Sequence, residues 1–328
     1  MTEMNAPTRP FTLASGEAAA PELRGAVVTI GNFDGVHLGH RAAVAAARAR
    51  GDATGRPAAA LTFEPHPRSF FRPTEPLFRL SDAPTKVRLL AATGLDGVIV
   101  LDFKEKLAAL SAEDFVQQIL VERFAITGAM IGHDFNFGNK RTGTPAFLAE
   151  RGEKHGFSVE VVPHYAIDGR PVSSGAIRNA LTLGKIDDAT AMLGYPWFVT
   201  GEVVHGEKRG RDLGFPTANI RVDPACGLRH GIYAVRVRFD GHLYDGVASF
   251  GRRPTFDNGP VLLEVVLFDF EGDLYGKTLD VAFIAWVREE LKFDSVEALI
   301  VQMKQDSQFS RNALKQNTGS FPPLAPLP

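Results

Sequence analysis

The chain has 328 residues, long for one domain and comfortable for two. With 45% hydrophobic and 23% charged residues it has an ordinary globular composition, and a formal net charge of −2 supplies no general basic field for nucleic acid or an acidic membrane. Its one cysteine, Cys226, excludes an internal disulfide and fits a reducing, cytoplasmic compartment.

No apolar run reaches the length of a membrane-spanning helix, and the N-terminus has no apolar signal core. Residues 1–21 are rich in Ala, Pro, Thr and Glu and are expected to be a disordered extension. Val27 to Ile30 then reads as a buried strand, followed by a Gly-bearing loop and an Ala-rich helix from His40 to Arg50. Strands are predicted at Ala58–Phe63, Val98–Leu101, Ala129–Ile131 and Val159–Val162. Helices are predicted at Asp82–Ala92, after Ser111, at Thr144–Lys154 and at Ser174–Leu183. Apolar strands separated by helices imply a Rossmann-like α/β domain with a parallel sheet covered on both faces, placed at 22–185.

The pattern changes after Gly184. From Phe198 to Ala285 the strands alternate, with Val235, Val237 and Phe239 on one face and Arg236, Arg238 and Asp240 on the other. Asp240-Gly241 is a tight-hairpin signal, and Glu271-Gly272 is expected to turn another pair. This predicts an antiparallel sheet or small barrel with one wet face, followed by a helix from Val296 to Leu314 presenting Leu299, Ile300, Met303 and Phe309. The second domain is placed at 186–316 and a Pro-rich tail at 317–328.

Two stretches carry chemistry. The first runs from Gly31 through Asn32, Phe33, Asp34 and Gly35 to His37-Leu38-Gly39-His40, where a strand ends and a helix begins. Open parallel sheets bind ligands there, and a helix start offers free N–H groups to phosphate. His37 and His40 share one side of that start, so both rings can serve one ligand and stabilise charge in a phosphoryl transition state. Pro65 and Pro67 fix the loop around His66, leaving either an aimed imidazole or a rigid surface turn. Ser173, Ser174 and Arg178 open the helix at 174, as a second phosphate clamp or a plain N-cap.

The second stretch, Gly206 to Asn219, spaces Gly206, Gly210 and Gly214 by four within basic surroundings that include Lys208 and Arg211. Such a loop can wrap a polyphosphate, although it is not a Walker loop. Thr217 and Asn219 follow Pro216 and offer hard oxygens suited to Mg²⁺. Glu264 interrupts the apolar run Leu262 to Phe268; a carboxylate there is either an outward-facing side chain or a general base.

On these residues the first half resembles nucleotidyltransferases with a His-x-Gly-His signature, and more closely the FMN adenylyltransferase half of bacterial bifunctional riboflavin kinase/FAD synthetases. The resemblance rests on the Gly-Asn-Phe-Asp-Gly-Val-His run at Gly31–His37, Phe-x-Pro-His-Pro at Phe63–Pro67 and Gly-x-Asp-Phe-x-Phe-Gly at Gly132–Gly138. Gly175 stands where that family usually has Thr, and Asn136 replaces a residue that is often basic. The second half resembles the riboflavin kinase module, matching at Gly201–Asn219, Gly231–Ala234, Pro254-Thr255-Phe256, Leu263–Gly276 and Arg288–Phe293; Val266 stands where His is common. The resemblance implies a six-stranded antiparallel barrel, ATP and Mg²⁺ at Thr217 and Asn219, and Glu264 as the base. It also implies flavin contacts at His66, Asp134, Phe135, Arg288 and Glu290.

The expected reaction sequence is phosphorylation of riboflavin to FMN, then adenylyl transfer from ATP to FMN, giving FAD and pyrophosphate. The expected partners are small-molecule substrates, with no nucleic acid or membrane, and the expected state is a monomer or weak homo-oligomer. Two rivals stand beside it: an adenylyltransferase for another phosphorylated acceptor with a barrel that only binds, and a non-catalytic flavin-binding regulator.

Overall fold

The computed structural model describes residues 10–16, 20–205, 217–252, 261–317, 321 and 324–325. The basic Gly206–Pro216 stretch and Pro254-Thr255-Phe256 lie outside them. The chain forms two compact units, Met1–Leu77 with Ser81–Ser173 and Pro323–Pro328, and Phe78–Leu80 with Ser174–Pro322.

The first unit is built on six parallel strands: β1 (Thr12–Ser15), β2 (Val27–Ile30), β3 (Ala58–Glu64), β4 (Gly97–Asp102), β5 (Gly128–Gly132) and β6 (Ser158–Val162). Their spatial order is β1-β4-β3-β2-β5-β6. From β2 the sheet grows through β3 and β4 to one side and through β5 and β6 to the other. The carboxyl end of β2 is therefore the turning point where such sheets open a crevice. Helices α1 (Leu38–Thr54), α2 (Pro67–Phe71), α3 (Ala83–Ala91), α4 (Glu105–Ala108), α5 (Ala112–Asp114, continued by the π-helical Phe115–Arg123) and α6 (Pro145–His155) follow or connect the strands. Asp82, Ser111 and Thr144 each accept a backbone N–H from the third residue onward, which fixes the starts of α3, α5 and α6. Both sheet faces are buried: Val28, Ile30, Leu61, Ile99 and Ile131 pack on one, and Val27, Ala47 and Met130 on the other. A short antiparallel pair, β7 (Ala166–Ile167) and β8 (Arg170–Pro171), completes the unit.

One expectation is corrected here. Thr12–Ser15 is ordered as an edge strand, although composition marked residues 1–21 as a disordered extension. It runs along β4 with Leu13 beside Val98, satisfies an otherwise open edge and buries Ala14 to 3% exposure.

The second unit opens with α7 (Ser174–Thr182) and α8 (Ile186–Leu193). Buried Ile177, Ala180 and Leu181 of α7, and the Arg229 N–H donated to the Leu181 carbonyl, attach α7 to this unit. The sequence had grouped that helix with the first domain. Strands β9 (Phe198–Val204), β10 (Ala218–Arg221), β11 (Gly231–Phe239), β12 (His242–Arg252), β13 (Val261–Leu267) and β14 (Thr278–Arg288) close a six-stranded antiparallel barrel in the order β10-β13-β12-β11-β14-β9. Helix α9 (Val296–Gln316) follows, capped by Ser295.

Asp240 and Gly241 both take positive φ, 48° and 79°, and turn β11 into β12 as predicted. Glu271-Gly272 does not turn a hairpin. Strand β13 pairs with β10 and β12, and β14 with β11 and β9, so the Glu271-Gly272 connection crosses the barrel end instead. The wet face of β11 is partly covered. Arg236 donates to Asp245 and to the Leu314 and Asn317 carbonyls beside α9. The buried side of α9 carries Asp306, Ser310 and Leu314, while Phe309 is 50% exposed, one position off that stripe. Phe321, expected in a tail, is buried against Phe198 and beneath the Arg238 guanidinium.

Candidate functional site

In the first unit the loop after β2 is held in a demanding conformation. Phe33, Gly35 and Val36 take φ of 50°, 82° and 36°, a region that a β-branched residue rarely enters. Its neighbours fix it. Gly35 N–H donates to Ser81 Oγ at 3.1 Å, and Asp34 Oδ1 accepts the Ser81 N–H at 3.1 Å. Thr62 Oγ1 and Lys86 Nζ both donate to the Asn32 carbonyl, at 3.2 and 3.3 Å. Phe33 packs its ring against Gly31 and lies edge-on to His40 at 5.2 Å.

His37 caps α1, its Nδ1 accepting the His40 N–H at 3.3 Å. An accepting Nδ1 carries no proton, so the neutral ring has its N–H at Nε2. The two imidazoles stack at 3.6 Å and 15°. A Cβ at Gly39 would meet the His37 ring at 3.2 Å, which gives the Gly of His-x-Gly-His its reason. His40 is half-buried with its Nδ1 fully covered, and burial first, then His37 and Lys86, hold its pKa well below the usual 6.5. Among the described residues its Nδ1 has no hydrogen-bond partner. A buried polar atom left so at a crevice fits a site completed by a ligand.

At the end of the adjacent β3, His66 caps α2 with its Nδ1 accepting the Arg68 N–H at 3.1 Å. Asp134 and Phe135 lie in the turn after β5, whose end pairs with that of β2 at Ile30 and Ile131. Asp134 is exposed, and Phe135 stacks on buried Phe137 at 5.3 Å. The structure thus gathers the His37–His40 loop, His66 and the Asp134 turn along one carboxyl edge. Ser173 is exposed at the end of this unit. Ser81 and Lys86 reach this loop from a distant segment, whose one readable feature in the sequence is the cap Asp82 that starts α3.

In the second unit Asn219 is 5% exposed and stands directly across from Glu264, which is also opposite Ser249. Directly opposed residues share a sheet face, so the amide and the carboxylate are neighbours. Thr217 lines a cavity of about 390 Å³ with Val203, Val265, Phe270 and Tyr275; Asn219 and Glu264 are not among its walls. Gly206, Lys208, Gly210, Arg211, Gly214 and Pro216 fall outside the described residues. Arg178 on α7 donates through Nε to the Phe78 carbonyl at 2.5 Å, and Ser174 opens the same helix. Arg288 is engaged by Asp306 of α9 through two bonds, at 2.9 and 2.6 Å. The Glu290 carboxylate lies over Gly251, where any Cβ would collide with it.

The fold and these two sites define a two-module phosphate-transfer architecture, an α/β nucleotide site joined to a six-stranded barrel. The FAD synthetase family model matches residues 19–176 and the riboflavin kinase model residues 193–314. A bifunctional riboflavin kinase/FMN adenylyltransferase of Pseudomonas fluorescens is 42% identical over 89% of this chain and 94% of its own length. The Escherichia coli K12 protein of that description is 36% identical over 89% and 93%. The chain belongs to the bifunctional riboflavin kinase/FMN adenylyltransferase family. A solved structure described as a macrolide-efflux protein from Streptococcus pneumoniae shares 30% identity and a TM-score of 0.81, over 92% of this chain and 99% of that one. Among the described residues no helix is long and apolar enough to cross a membrane.

Proposed function

We propose that the barrel unit phosphorylates riboflavin to FMN with ATP, and that the α/β unit transfers AMP from ATP to FMN, giving FAD and pyrophosphate. Membership of the family across both modules supports the pair of activities. The stacked His37–His40 pair at the turning point of the sheet carries the adenylyl step.

In the kinase step Glu264 takes the proton of the attacking ribityl hydroxyl as that oxygen bonds the γ-phosphorus and ADP departs. Thr217 and buried Asn219 would hold Mg²⁺. Their neutral, hard oxygens suit an ion that takes few protein donors and shares substrate phosphates, and Glu264 beside them supplies negative charge. Mg²⁺, when bound there, would supply positive charge against the ATP phosphates. Gly206, Lys208, Gly210, Arg211, Gly214 and Pro216 are assigned to the same phosphates on their motif.

In the adenylyl step an FMN phosphate oxygen bonds the α-phosphorus and pyrophosphate leaves. Neutral His37 donates from Nε2, and His40 lies against it, so hydrogen bonds meet the charge that develops on the α-phosphate oxygens. The Gly31–Asp34 backbone and Gly39 let the nucleotide approach. Ser173, Ser174 and Arg178 are assigned to phosphates on their motif. His66, Asp134 and Phe135 are assigned to flavin in the first unit, and Arg288 and Glu290 in the second.

Two variants test the division of labour by chromatographic separation of the flavins. Glu264→Ala stops FMN formation and still makes FAD from supplied FMN. His40→Ala does the reverse. Unchanged kinase activity in the first, or FAD synthesis within about threefold of normal in the second, removes that assignment.

A further inference from the structure

Lys86 is a buried charge that the proposed chemistry does not use. Its side chain is 1% exposed, on α3, with Nζ 2.6 Å from Glu64 Oε1, 3.0 Å from Thr62 Oγ1, 3.1 Å from the Phe63 carbonyl and 3.3 Å from the Asn32 carbonyl. A buried ammonium is costly unless it is paired and its three donors are satisfied. Here one carboxylate and three other oxygens do so, and they come from one loop and the end of one strand. Asn32 belongs to the loop after β2 that leads to His37 and His40. Thr62, Phe63 and Glu64 end β3, just before His66. Two residues of the turn before α3 reinforce the same junction, since Ser81 holds Asp34 and Gly35 while Asp82 caps the helix.

We infer that Lys86 is a positioning residue for adenylyl transfer: it clamps the Asn32 loop to the end of β3 and sets a fixed positive charge beneath the loop that leads to His37 and His40. This rests on the adenylyltransferase reading of the His37–His40 site. The titratable and charged groups of this junction are Asp34, His37 and Arg41 on the loop and helix start, Glu64 at the end of β3 and Lys86 from α3. Of these, His37 and Lys86 both push the His40 pKa down. Neutral imidazole stacks on a second imidazole without charge repulsion and retains one donor and one acceptor nitrogen. Protonation would charge the pair beside Lys86 and disturb the stack.

The test uses the full chain, with FMN, ATP and Mg²⁺ as substrates and riboflavin phosphorylation as a parallel readout. Lys86→Met is expected to lower kcat for FAD formation roughly ten- to a hundredfold, with KM changed less. It should also move the acid limb of the kcat/KM profile to higher pH, because losing the cation lets His40 protonate more readily. Glu64→Gln removes the counter-charge and should move that limb to lower pH, and Lys86→Arg should leave it in place. A purely structural lysine gives no such opposed shifts. An acid limb that is the same in Lys86→Met and Glu64→Gln as in the parent overturns the inference, as does FAD formation by Lys86→Met within about threefold of the parent. If Lys86→Met does not fold, Glu64→Gln decides by the same limb. Failure of the parent itself to adenylylate FMN would overturn the function beneath it.

Discussion

His40 is half-buried, stacked on His37, with its protonated form disfavoured by burial, by His37 and by Lys86. The sign follows directly. A histidine whose pKa is depressed stays neutral as pH falls through 6.5, and is charged only at lower pH. FAD formation from FMN should therefore hold its rate down through pH 6.5; a pH–rate profile that halves near that value contradicts a neutral His40. Gly39 gives a second check. A methyl there meets the His37 ring at 3.2 Å, while alanine suits a helix better than glycine by about 0.5–1 kcal/mol. Gly39→Ala should cost about tenfold or more in adenylyl transfer with little change in melting temperature. Loss of both together would point to a structural glycine. Cys226 behaves differently from a reactive thiol, since burial pushes its pKa up to about 11. Reaction with a disulfide reagent should be slow at pH 8 and accelerate as pH rises toward that value.

At the scale of elements, α9 is fastened to the barrel by Arg288 of β14, whose guanidinium meets the 5%-exposed Asp306 carboxylate through two hydrogen bonds. Removing one partner of a largely buried pair leaves the other charge uncompensated. Asp306→Ala should then lower unfolding stability by roughly 3 kcal/mol in denaturant titration, and a loss under about 0.5 kcal/mol would show that α9 is held by its apolar stripe alone. Parallel strands β2 to β5 were legible because each is a mainly apolar run bounded by turn residues, and the Asp240-Gly241 hairpin because both positions need positive φ. The sequence failed where the partner decides the outcome. Edge strand β1 is ordered by β4, and its composition carries no trace of that. Glu271-Gly272 looked like a turn, but barrel closure set the neighbours of β13 and β14. Phe309 was placed on the buried stripe because an apolar residue outweighed a polar one by type, whereas Asp306 and Ser310 are the buried positions.

Over the whole molecule, the chemistry divides between two units whose signatures were each readable as a local motif. His37 and His40, or Asn219 and Glu264, carry residue types whose spacing or isolation is informative by itself. The supports were not readable. Ser81, Thr62 and Lys86 reach the nucleotide loop from distant segments, and a lysine in a helix carries no sign that it is buried until the fold closes over it. Family membership along both modules joins the two motifs into one reaction sequence, in which the product of the barrel is the acceptor for the α/β unit. The most direct measurement is a time course of the pure protein with riboflavin, ATP and Mg²⁺, with flavins separated chromatographically. The account predicts that FMN appears first and is then converted to FAD with release of pyrophosphate. FMN that accumulates without FAD, or riboflavin left unchanged, would contradict it.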